Sequence, residues 1–399
     1  MQDTHNKEPS LIILLFLVSF ASISAVLFTP ALPEIASRLQ ITDAQAQMTM
    51  TVFLLGYTFG ALPYGPLSNR YGRKPATYMG ISLAACGAFL VACVSFTESF
   101  RLFLIGRFLM ALGSSVGIKI AFTMVGDIYK AEKATQKISL LILAFAIGPG
   151  LATAIGGFLT GSLGWESCFY FLTAYSLLLL WLTSLLPETA KSLDPNALQV
   201  RSIFFGYLAM LKNKRLIFAA LLMGSGSSIL YLFAANAPVI GINKIGLSPE
   251  VYGLFNFIPP LGMFLGSALA HFLAGKKPIL NIIGKGIVIS FAGAIAMFLF
   301  FLMGWVNVWT LFFPMPLVYI GLSLVFSNAS AFAMTSAHNK SNASAMMNFL
   351  NIGLSTFALL TTQGILLNQT YSMALAFVLI SCLMAALLFL LHRVNQRYS

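Results

Sequence analysis

Apolar residues in this chain come in runs of about twenty, separated by short segments that carry nearly all of the charge. A helix that crosses a ~30 Å hydrocarbon core needs about 20 apolar residues. By that measure the pattern predicts twelve membrane helices, over residues 11–32, 46–67, 76–96, 102–126, 138–161, 167–186, 216–239, 251–273, 279–303, 306–333, 344–366 and 372–391. The connections are short, with one exception: the polar stretch 187–215 follows the sixth run. Six runs, a break and six runs predict two helical bundles, residues 1–190 and 216–399, joined by a linker over 191–215.

Charge placement orients the expected helices. With the N-terminus in the cytoplasm, only Arg38, Arg101 and Lys244 fall on the outer side. Arg107, Lys119 and Lys285 fall inside spans, and the other 17 of the 23 cations face the cytoplasm. Such a bias is the positive-inside rule and predicts cytoplasmic termini. Composition agrees: 58% of the 399 residues are hydrophobic and 9% charged, whereas soluble domains carry about 25% charge. The net charge of +12 is scattered between apolar runs rather than gathered into a basic domain, so it points away from nucleic acid. All four cysteines lie within apolar runs, as packing side chains rather than a disulfide or metal framework. The first run is flanked by Asp3 and Glu8 against Lys7, a poor leader for a cleaved signal peptide, and reads as the first span. No H-E-x-x-H, G-x-S-x-G or intramembrane acid pair is present, so no membrane-enzyme chemistry has residues to stand on.

Between the second and third spans stands "GPLSNRYGRKP", residues 65–75, with three cations and no acid. Anchoring at anionic headgroups explains the charge but not the glycines. Gly65, Leu67, Arg70, Gly72, Arg73 and Lys74 match the loop G-x-L-x-D-R-x-G-R-K, and here the chain resembles the major facilitator superfamily. Asn69 replaces that loop's aspartate; it keeps a capping oxygen and loses a negative charge, so a weaker electrostatic latch is expected. Further likenesses follow in order. "RFLMALGSS" opens the fourth span with Arg107 and Gly113; "IGPGLATAIGG" in the fifth carries Gly148, Pro149, Gly156 and Gly157; and "LPET" closes the sixth. "FTPALPEIA" and "AANAPVIGINKIGLSPEVYGLF" are similar to drug/proton antiporters of the bicyclomycin-resistance type. The resemblance implies an all-α integral membrane protein of the major facilitator fold: two six-helix bundles, a midplane substrate cavity and alternating access. It also implies a gating role for residues 65–74, and a multi-pass place in the bacterial inner membrane follows from the short loops.

The eleven acids all fall in loops or at helix ends, so no carboxylate stands mid-membrane. In the antiporters an aspartate commonly sits where this chain has Val26. The interior carries cations instead, which cost ~2.5–3.5 kcal/mol each near a span centre. Lys285 is close enough to a span end to snorkel. Arg107 either packs helix ends or contacts substrate. Lys119, just past the middle of the fourth span, is expected to meet cavity water or an anionic ligand. Tyr231, Asn236, Asn256, Asn328, Asn348 and Asn351 are expected to complete the site from the second bundle; taken singly, each also suits helix–helix hydrogen bonding. This pattern predicts a monomeric secondary transporter, without cofactor or metal, for a polar organic anion such as a polycarboxylate or carboxylate siderophore. The alternative is a multidrug efflux antiporter for neutral or acidic drugs. Glu34, Asp43, His271, the substrate's own protons or simple uniport remain open for energy coupling.

Overall fold

The computed structural model describes residues 8–190, 192–199, 208–335, 340–365 and 371–396. It is helical throughout, with no strand among the described residues. Residues 191 and 200–207 of the expected linker lie outside the described residues. The chain divides into two compact units, one of Met1–Ile41 and Val52–Ile203, the other of Thr42–Thr51 and Phe204–Ser399.

The first unit is built from α1 (Leu11–Val26), α2 (Leu32–Arg38), α3 (Asp43–Gly60), α4 (Tyr64–Tyr71), α5 (Arg73–Ala92), α6 (Val94–Thr97), α7 (Phe100–Ser114), α8 (Val116–Ile128), α9 (Ala131–Leu163) and α10 (Glu166–Leu185). The start of α3 belongs to the second unit. The second unit continues with α11 (Lys214–Pro238), a π turn (Val239–Lys244), α12 (Pro249–Phe255) and α13 (Ile258–Leu273). It ends with α14 (Ile279–Leu302), α15 (Val308–Phe312), α16 (Met315–Thr335), α17 (Lys340–Ile365) and α18 (Ser372–Gln396).

Among the described residues, eleven helical stretches are long and apolar enough to cross a membrane, and they coincide with eleven of the twelve expected spans. The exception is the expected run 46–67. There the chain forms α3 and α4, interrupted at Ala61–Pro63, where Pro63 cannot donate to the helical ladder. Gln45, Gln47, Thr49, Thr51 and Thr58 also dilute the apolar character of α3. Gln47 donates from Nε2 to Asn236 Oδ1 at 3.3 Å, within the second unit. The fourth span bends where α7 gives way to α8: the Ser115 hydroxyl turns back to Leu112 O at 2.8 Å.

Lipid offers no hydrophobic drive for helix pairing, so close approach at small residues holds such bundles together. On α5, Gly80 and Gly87 face Gly106 and Gly113 of α7. A Cβ on Gly87 would stand 2.6 Å from Gly106 O, and one on Gly113 would collide with Gly80 O. The second unit repeats the device: a Cβ on Gly286 of α14 would stand 2.6 Å from Gly321 O on α16, and one on Gly293 2.9 Å from Pro314 O. The same echo appears at the starts of α5 and α14. Gly72-Arg73-Lys74-Pro75 leads into α5 with Gly72 at φ +105°, and Gly275-Lys276-Lys277-Pro278 leads into α14 with Gly275 at φ +74°. Both units therefore use one plan for this helix pair and the turn before it.

Candidate functional site

The first element stops short of a proline. Helix α1 ends at Val26, whose carbonyl Pro30 could not serve for lack of an N–H, and with the helix ended the other carbonyls of its last turn lose their helical donors as well. Arg107 takes two of them: Nη1 donates to Ser24 O at 2.8 Å and Nη2 to Ala25 O at 3.2 Å. Its guanidinium lies over the Phe28 ring at 4.0 Å and the Phe53 ring at 4.3 Å, and the side chain is 0% exposed. A cation at a helix C-terminus gains from the macrodipole, and the two rings add cation–π attraction. Of the two roles expected for Arg107, this geometry fits the packing one, since Nη1 and Nη2 each donate to a carbonyl of α1.

Lys119 lies beyond the Ser115 bend, in α8. Its side chain crosses the bare face of Gly65, with Cε 3.3 Å and Nζ 3.5 Å from where a Cβ on that glycine would stand. Two residues flagged separately in the sequence thus meet. Among the described residues the ammonium has no hydrogen-bonding or ion-pair partner, and the side chain is half-buried. Arg107 and Lys119 go to different neighbours and do not form a joint clamp.

The basic turn is held by acids from elsewhere in the first unit. Arg73 pairs with Asp127 at the end of α8, Nε to Oδ2 at 2.9 Å and Nη2 to Oδ1 at 3.3 Å. Nη1 donates to Asn69 Oδ1 at 3.0 Å and to Ser68 O at 2.9 Å. Asn69 therefore keeps its hydrogen bond to the arginine, while Asp127 supplies the charge. Thr189 Oγ1 donates to Asp127 as well, at 3.0 Å. Glu188 of "LPET" caps α5: the N–H groups of Arg73 and Lys74 donate to its two carboxylate oxygens at 3.0 Å each. A Cβ on Gly72 would stand 2.6 Å from that carboxylate, so sterics and positive φ both demand glycine here. Lys74 Nζ donates to Ser184 O at 2.6 Å, while Arg70 is half-exposed with no ion-pair partner among the described residues. Nearby, the Tyr129 hydroxyl donates to Glu8 Oε2 at 3.0 Å; partial burial, then this carboxylate, raise its phenol above the ordinary range. The sequence places Asp127 and Glu188 among the acids in loops or at helix ends, and Glu188 in the "LPET" likeness, but gives neither a partner. Their distance along the chain from Arg73 hid the pairing.

The glycines of "IGPGLATAIGG" set α9 against α1. A Cβ on Gly148 would stand 2.5 Å from Ser22 Oγ, and one on Gly156 would overlap Leu27 O. Gly157 is buried, and the carbonyl of Pro149 accepts from Thr153 Oγ1 at 2.8 Å.

In the second unit, the polar residues are spread along α11, α16, α17 and the α12–α13 break. Asn236 and Asn328 donate to carbonyls one turn back on their own helices, Leu232 O at 2.9 Å and Leu324 O at 2.8 Å. Asn256 caps the C-terminal end of α12, and Tyr231 is half-buried on α11. Asn348 and Asn351 stand one turn apart on α17, so they share a face. At Asn351 the helices touch: its carbonyl lies 3.0 Å from where a Cβ on Gly224 would be, and Ser355 Oγ donates to Gly224 O at 3.2 Å. The Asn351 side-chain oxygen is buried with no partner among the described residues. No hydrogen bond joins two of these asparagines among the described residues.

Comparison with known proteins gives the arrangement a family. The model of the Major Facilitator Superfamily matches residues 14–359. Multidrug resistance protein D of Escherichia coli (strain K12) is 27% identical over 327 residues, 81% of this chain and 80% of that protein. A bicyclomycin resistance protein homolog of Haemophilus influenzae is 26% identical over 247 residues, 61% of each chain. Among solved structures, the partially occluded inward-open xylose transporter XylE from E. coli matches with TM-score 0.76 at 14% identity, over 96% of each chain, a likeness of fold alone. A match across most of the length, on a chain with eleven membrane-length helices among the described residues, leaves one conclusion: this chain belongs to the Major Facilitator Superfamily, and is a multi-pass transporter of the bacterial inner membrane rather than an enzyme.

Proposed function

We propose that this transporter exports drug-like molecules that are neutral or acidic, by alternating access. The observation that carries the reading is the placement of charge. In the candidate spans, Glu34, Asp127, Glu166 and Glu250 all stand within the last or first few residues, so a lipophilic cation meets no carboxylate mid-span. Lys119 offers a positive charge to the first unit's interior, and Tyr231, Asn348 and Asn351 offer neutral hydrogen-bonding groups in the second. The names of the two relatives, a multidrug and a bicyclomycin resistance protein, support efflux over uptake. They give no support to the siderophore substrate expected from the sequence. A resistance profile in a host stripped of its own pumps tests the proposal. Expression should raise the inhibitory concentration of neutral and acidic compounds at least about fourfold and leave quaternary ammonium cations unchanged; resistance confined to cations would sink it.

The unpartnered ammonium of Lys119 also suits a carboxylate-bearing substrate. A thermal-shift screen against organic acids, with and without iron, separates that reading: stabilisation by a polycarboxylate that K119A abolishes would favour it.

A further inference from the structure

We infer that Lys119 carries the exchanged proton in this transporter, in place of an intramembrane acid. The inference rests on the efflux reading and deepens it. An exchanger must hold its proton on a group that loses it when substrate arrives. No carboxylate is placed mid-span for that task; Lys119 and Lys285 both lack an acceptor among the described residues, but Lys285 is exposed and close enough to a span end to snorkel, whereas Lys119 is half-buried beside Gly65. Arg107 already has its carbonyls, and a guanidinium does not give up its proton.

The surroundings of α8 leave the ammonium without a competing partner. Packed against it are α1, α4, α5, α7 and α9. Helix α1 has no titratable residue; α4 brings Tyr64, Arg70 and Tyr71. From α5 come Arg73, Lys74, Tyr78 and Cys86, and from α7 Arg101 and Arg107. Helix α9 brings Glu132, Lys133 and Lys137 in its first two turns. On α8 itself the acid is Asp127, two turns on and engaged by Arg73. The end of the Lys119 side chain passes the bare face of Gly65, which supplies no charge. An amine so placed depends on water to stay protonated, because desolvation disfavours the charged form.

A neutral molecule that displaces that water sets off the step. The Nζ–H bond breaks, the electron pair stays on nitrogen and the proton passes to water. After the molecule leaves on the other side, water there returns a proton to Nζ. One proton moves inward for each molecule exported.

Calorimetric titration of the purified full chain with bicyclomycin and a panel of other neutral drugs, in buffers of different ionisation enthalpy, counts protons per molecule bound. Wild type should release about one. Per molecule bound, K119R and K119Q should release none, and K119H should restore release displaced to lower pH, since imidazole titrates about four units below an amine. Release that persists in K119Q, or binding by wild type with no release, overturns the inference alone. Weakened binding in K119R is expected, since a guanidinium keeps its proton, whereas loss of all binding in K119Q, which resembles the deprotonated amine in lacking charge, makes Lys119 a geometric contact and overturns it too. Failure of wild type to bind any neutral compound overturns the efflux reading and the inference with it.

Discussion

Arg107 shows how a residue's motif membership can be legible while its task is not. Its likeness to a family arginine was visible, but the carbonyls it serves belong to Ser24 and Ala25, more than eighty positions earlier. The signal that could have found them is Pro30, which marks where α1 stops and its last-turn carbonyls lose their helical donors. Lysine lacks the planar fork, so R107K should lower stability by about 2–4 kcal/mol, and R107A by at least as much. Thermal unfolding in detergent reads this; an unshifted midpoint in both variants would remove the bracing role. Asn69 teaches the opposite lesson. Its lost charge was plain from the sequence, yet Arg73 is neutralised by Asp127. N69A should therefore cost less stability than D127N, measured the same way, because D127N leaves a largely buried guanidinium without its anion.

At the scale of the helix, small residues and caps decide the geometry. The run lengths that predict each span say nothing about which helix it touches. Gly113 and Gly321 are the points where α7 meets α5 and α16 meets α14, and each leaves no space for a methyl group. G113V and G321V should each destabilise by about 3 kcal/mol or more and lower the yield of folded protein by size-exclusion chromatography. An exposed glycine such as Gly246, with nothing within 4 Å, is a poor comparator because of its φ of +83°; Gly126, which has open space and lies within the helix α8, is the better control. Glu188 acts at the same scale. It closes the α5 N-terminus, so E188A should cost about 1–2 kcal/mol and E188Q less, with proteolysis of the 65–75 turn as the readout. Equal protection of both variants and wild type would mean the cap is dispensable.

For the whole molecule, charge asymmetry is the property that orients it. Its cations gather at alternate connections, and insertion follows that bias. In a background freed of Cys86, Cys93, Cys168 and Cys382, T42C should react with a membrane-impermeant maleimide in intact cells. K277C should react only after permeabilisation, and the reverse pattern would invert the topology. The same scale explains the one span that departs from expectation: the 46–67 run is apolar enough on average to suggest a single helix, yet Pro63 and its neighbours split it into α3 and α4.

Twelve apolar runs, their charge bias and the ordered motifs were sufficient to establish a membrane-embedded helical carrier, because hydrocarbon thickness and backbone hydrogen bonding leave a chain of this pattern no other form. Partners distant in sequence were beyond it. That Lys119 lies on Gly65, that Glu188 caps α5 and that Arg107 closes α1 are matters of which helix faces which, and only packing in three dimensions decides them. The physical reason is the solvent: lipid imposes run length and charge placement directly on the sequence, whereas helix pairing depends on close contacts that no local pattern encodes.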